Sequence, residues 1–147
     1  MFVLALALAA ESFRAFPNYI PFFNTAAGGT RGGIRWLGDS NLDWGQDLPL
    51  LAEWQHAHPD RELHLAYFGL ADPAYYGIRY HNAPAGYAFG SEPPATELPT
   101  SGVLAVSASV LQGVNSTDLH GPYVGFRERT PTQILGGTIY LFDLDQR

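Results

Sequence analysis

Cysteine is absent, which excludes disulfides and thiolate metal sites and leaves the redox compartment open. Lysine is absent too: the eight basic residues are all arginine, form no cluster, and are outweighed by fourteen acidic residues, for a net charge of −6. A nucleic-acid partner needs a positive stripe to displace counterions from phosphates, so this balance argues against one. Charge of either sign is sparse, at 15% of residues, whereas 46% are hydrophobic and 14% aromatic. That composition argues against disorder and supports a sizeable core. A length of 147 residues makes one domain the expectation.

The N-terminal apolar run, MFVLALALAA, stops at Glu11 and falls short of the roughly 20 residues that cross a bilayer. A signal peptide fits its small residues but lacks a basic start. An ordinary buried helix is a second reading. The preferred one is the end of a transmembrane helix, with residues 1–24 forming that stump and a juxtamembrane segment, and residues 25–147 forming a single soluble α/β domain. In FRAFPNYIPFFN, aromatics interleaved with Pro17 and Pro21 suit an interfacial or irregular segment.

Further on, GGTRGG (28–33) precedes the strand-like IRWL (34–37), whereas a phosphate-cradling loop follows a strand and opens a helix. A helix is expected from Pro49, a residue tolerated in a first turn, to a stop before Pro59. ELHLAYFG (62–69), VLAVSAS (103–109) and GTIYLFDL (137–144) read as strands, the second running into a short helical turn at VLQG. Between them, residues 72–100 form a long loop rich in proline, glycine and aromatics. The expected fold is α/β: a small, mainly parallel sheet of about four strands flanked by helices, its last strand antiparallel at an edge. Ligands bind at the carboxyl ends of such strands.

The polar loop DSNLDWGQD (39–47) belongs at one of those ends. Three chemistries compete for it. GDS resembles the nucleophile block of the GDSL (SGNH) hydrolases, with Ser40 as nucleophile, Gly113 and Asn115 as the oxyanion block, and Asp118 with His120 as acid and base; NSTDLH compresses blocks that this family keeps far apart. Asp39, Asn41, Asp43 and Asp47 fall at positions 1, 3, 5 and 9 of a calcium loop, but Trp44 replaces its glycine and Leu50 its bidentate glutamate. A paired-carboxylate glycosidase needs a fixed carboxyl separation, which four-residue spacing on a loop does not set. The plain alternative is that these side chains satisfy backbone donors in the turn and cap the following helix, and for Asp47 that reading is preferred. For Tyr75, Tyr76 and Tyr80, packing under the long loop is preferred over stacking on a sugar.

Taken in order, FPNYIPFFNTAAGG, DSNLDWGQDLPLL, YFGLADPAYYGI, LAVSAS and PTQILGGTIYLFDL resemble the C-terminal segment of bacterial membrane glycosyltransferases that use polyprenyl-phosphate sugars. These are similar to the dolichyl-phosphate-mannose protein mannosyltransferases, glycosyltransferase family 39, of GT-C type. The resemblance covers nearly the whole chain, and DSNLDWGQDL is its specific block. It implies a multi-spanning enzyme moving sugar from a lipid phosphate to an acceptor on the extracytoplasmic face, with this chain as a soluble tail. The family's catalytic carboxylate lies on an early loop with no counterpart here, so the resemblance implies no catalytic residue, cofactor or metal in this chain. The implied partners are membrane lipid or the transmembrane part of the same enzyme, and a sugar acceptor. Hydroxyl-rich groups suit Asp39, Asn41, Asp43 and Gln46 beside Trp44, with Tyr75 and Tyr76 as further ligand-binding candidates, whereas a bare phosphate would be repelled. A stand-alone esterase using Ser40, or a carbohydrate-binding module, is the alternative.

Overall fold

The computed structural model describes residues 2–38, 41–114 and 121–146. Helix α1 (Phe2–Ala15) is followed by a cis Phe16–Pro17 peptide, a 3-10 turn at Thr25–Ala27 and the single-turn helix α2 (Gly29–Gly32). Helix α3 (Leu48–Ala57) carries Pro49 in its first turn, where no backbone N–H is needed, and stops ahead of Pro59 as expected.

Five strands form one mixed sheet in the order β2-β1-β3-β5-β4. They are β1 (Leu63–Ala66), β2 (His81–Asn82), β3 (Val103–Ser107), β4 (Gln133–Leu135) and β5 (Ile139–Asp143). β1 pairs in parallel with β2 and β3, while β5 runs antiparallel to both β3 and β4. The sheet is therefore parallel at one end only, with one strand more than expected. β5 is antiparallel but interior; the edge belongs to β4, joined to it through Gly136 and Gly137, both at positive φ. The helices α4 (Ala108–Gln112) and α5 (Val124–Arg127) complete the fold.

The interior strands bury both faces, so they are apolar apart from the half-buried His64 of β1, Ser107 at the end of β3 and Asp143 at the end of β5, and successive residues alternate in which core they serve. Leu63, Leu65, Val103, Ala105, Ile139 and Leu141 pack with Leu48 and Leu51 of α3. Leu104, Val106, Tyr140 and Phe142 face the other way, onto Leu42, Leu111 and Phe126.

The strand expected at residues 34–37 does not form. Gly33–Arg35 is a 3-10 turn, and the carbonyls of Ile34 and Leu37 accept hydrogen bonds from the Gln112 side chain, at 2.6 and 2.8 Å, in place of a ladder. A Cβ on Gly33 would lie 2.4 Å from the Phe23 ring, so the glycine lets this turn close against that ring.

A candidate binding cleft at the carboxyl ends of β1 and β3

The polar loop reaches the carboxyl end of the parallel pair although no strand leads into it. Leu42, fully buried, anchors it in the core. Asp43, 1% exposed, accepts hydrogen bonds from the amides of Gly45 (3.0 Å) and Ser109 (3.4 Å) and from the Ser107 hydroxyl. Ser109 lies in the first turn of α4, whose own N-cap residue, Ser107, makes no side-chain cap. Asp43 thus caps a helix 66 residues away and ties the loop to the end of β3.

Asn41 and Gln46 serve the loop's own backbone. Gln46 accepts from the Trp44 amide at 2.8 Å and donates to the Leu42 carbonyl at 3.2 Å, and Asn41 donates to Gly38. Asp47 stands at the N-cap of α3 but makes no side-chain cap there; its carboxylate accepts from the Thr138 hydroxyl at 2.7 Å instead. Gly136 makes room for that carboxylate, since a Cβ there would approach it to 2.1 Å. The capping role expected of Asp47 is therefore corrected: it fastens α3 to the β4–β5 turn.

Beside Asp43 opens a cleft of about 860 Å³, walled by Trp44, Tyr67, Phe68, Leu70, Phe89, Val110 and Tyr123, with Arg127 the one other charged residue among its described lining. Tyr67 runs from the end of β1 toward Gly45 (φ +77) and Gly69, and a Cβ on either would come within 2.2 Å of its hydroxyl. That hydroxyl is buried and has no well-formed hydrogen bond among the described residues, although the Ala71 amide is near it.

Burial sets the electrostatics. It pushes the Asp43 carboxyl up to about 6 against the pull of its three hydrogen bonds, with Asp47 adding to the rise. Asp47 is raised by burial as well. Burial and then the nearby Asp43 raise the Tyr67 phenol well above its ordinary range and bring Tyr140 to about 12. A carboxyl that titrates near neutrality in an aromatic cleft can accept a hydrogen bond from a ligand hydroxyl, or donate one when protonated.

Of the residues expected to bind ligand, Asp43 and Trp44 line this cleft. Asn41 and Gln46 do not, and neither do Tyr75 and Tyr76, which form an edge-on pair on the 3-10 turn Pro73–Tyr76, Tyr75 being 84% exposed. Tyr80 packs against the core as expected. Asp39, Ser40, Asn115, Asp118 and His120 lie outside the described residues. Asp43 and Asp47 take different partners, and among the described residues no group of three or more His, Asp or Glu converges as a metal cage. Tyr67, Phe89, Tyr123 and Arg127 are cleft residues that sequence reasoning missed; the aromatic richness of residues 72–100 was the one signal for Phe89. No helix among the described residues is long and apolar enough to cross a membrane. Comparison with protein-family models, curated proteins and solved structures gives no match.

Proposed function

We propose that this chain is the extracytoplasmic domain of a membrane glycosyltransferase that uses polyprenyl-phosphate sugars, itself non-catalytic, and that its cleft contacts the acceptor or the sugar. One observation carries the reading: an aromatic, largely apolar cleft with one buried carboxyl among its described lining sits in the same chain as a helix whose apolar side chains Phe2, Val3, Leu4, Leu6 and Leu8 are each at least 68% exposed. Exposed apolar surface of that extent marks contact with a membrane or partner. The cleft walls suit an apolar or aromatic part of a ligand, and Asp43 beside Trp44 suits its hydroxyls, a combination found in glycosides with an apolar aglycone.

The test titrates p-nitrophenyl glycosides while Trp fluorescence is followed. Saturable binding that weakens at least tenfold in Asp43→Ala, with no hydrolysis, supports the reading. Hydrolysis of a short-chain p-nitrophenyl ester, lost in Ser40→Ala and in His120→Ala, would replace it with the esterase reading.

A further inference from the structure

Charge is divided unevenly along the chain. Residues 1–38 hold three arginines and one acidic residue, a net +2, whereas the other 109 residues hold five arginines and thirteen acidic residues, a net −8. Arg14, Arg31 and Arg35 are all exposed, and none of them forms an ion pair with a described residue. The one acidic residue of the segment, Glu11, accepts a hydrogen bond from the Thr25 amide at 3.1 Å, which ties α1 to the turn at Thr25–Ala27. From that turn the Ala27 carbonyl takes the indole N–H of Trp36 at 3.1 Å, so α1, the turn and Trp36 are joined by a continuous line of contacts. Within the same segment Trp36 and the edge-on pair Phe16 and Tyr19 are 65%, 71% and 58% exposed.

Exposed Trp and Tyr beside an apolar helix are the residues that settle at the level of lipid headgroups. Arginine among them adds attraction where those headgroups are anionic, and the effect dies away within a Debye length of about 8 Å, so the acidic remainder of the domain is repelled only if it faces the surface. We infer that residues 2–38 form a surface that seats the domain on anionic phospholipid headgroups, with the acidic body turned away from the bilayer. This rests on the membrane-facing reading above and adds to it the partner's charge and the domain's orientation. Each arginine contributes about fivefold in affinity, so the net charge of +2 gives a preference of roughly thirtyfold for anionic over neutral membranes.

The experiment is flotation of the full chain with phosphatidylcholine vesicles and with vesicles also containing phosphatidylglycerol, at low and high salt. The wild type should bind both, the anionic ones more tightly, and salt should erase the difference. The triple variant Arg14→Gln, Arg31→Gln and Arg35→Gln leaves this segment at −1; it should bind neutral vesicles as before and lose the anionic preference, with an unchanged circular dichroism spectrum. Equal binding of the wild type to both vesicles at low salt, or an anionic preference that survives the triple substitution, overturns the inference and leaves the membrane-facing reading standing. Binding to neither kind of vesicle overturns both.

Discussion

Asp43→Asn separates the stability role of this carboxyl from every other titrating group. With its pKa carried from the ordinary 3.8 to about 6 by burial, the folded protein binds this proton more tightly than the unfolded chain does. The stability it contributes is thus full below pH 3.8, is lost as pH rises, and is gone above about pH 6, a change of about 3 kcal/mol. Asparagine keeps the shape and cannot ionise. Gly45 bonds one carboxyl oxygen and Ser109 the other, so the single amide oxygen of asparagine keeps one of these bonds and the other is lost, at about 1 kcal/mol. In acid the variant should be slightly less stable than the wild type. By pH 8 the balance should have moved about 2 to 3 kcal/mol in its favour, or roughly 5 to 10 °C in melting temperature for a chain of this size. Asp47, raised by burial, and His64, lowered by burial, act in opposite senses on stability but are present in both proteins, so they largely cancel in the comparison. Urea unfolding followed by Trp fluorescence from pH 4 to pH 8 measures the gap. Parallel curves, or a gap that moves toward the wild type as pH rises, would refute the reasoning.

Thr138→Val should destabilise by about 1 to 3 kcal/mol, because it removes a 2.7 Å hydrogen bond from a carboxylate that is 4% exposed; a denaturant midpoint at pH 7 checks it. Gly45→Ala combines a φ of +77 with a Cβ 1.8 Å from the Tyr67 hydroxyl, so a loss of at least roughly 2 kcal/mol is expected, partly restored by Tyr67→Phe in the double variant. Deleting residues 1–10 should raise solubility and leave the melting midpoint within about 2 °C, because Phe2 to Ala10 are all exposed and the strands begin at Leu63; a fall of many degrees would mean that these residues belong to the core.

Local signals carried well where one residue type decides the outcome. Pro49 marked the first turn of α3, and the largely apolar runs in β1, β3 and β5, broken only by His64 before their ends, announced strands buried on both faces. β2 and β4, with two and three residues, are too short to show a period. IRWL has strand composition, but a distant glutamine, Gln112, occupies two of the carbonyls a neighbouring strand would have used. The DSNLDWGQD loop could be read as a mixture of turn bonds and caps, yet the helix that Asp43 caps begins more than sixty residues later, and the partner of Asp47 is Thr138. The cleft was the least legible part, because Trp44, Tyr67, Phe89 and Tyr123 come from four separate segments that only the tertiary fold brings together.

The most direct test of the central proposal, an extracytoplasmic domain of a membrane glycosyltransferase, is to sequence the DNA immediately upstream of the Met1 codon. The account predicts codons in frame for several transmembrane segments, with an acidic residue on an early extracytoplasmic loop. A stop codon and a promoter in that position would contradict it and favour a stand-alone binding or hydrolytic protein.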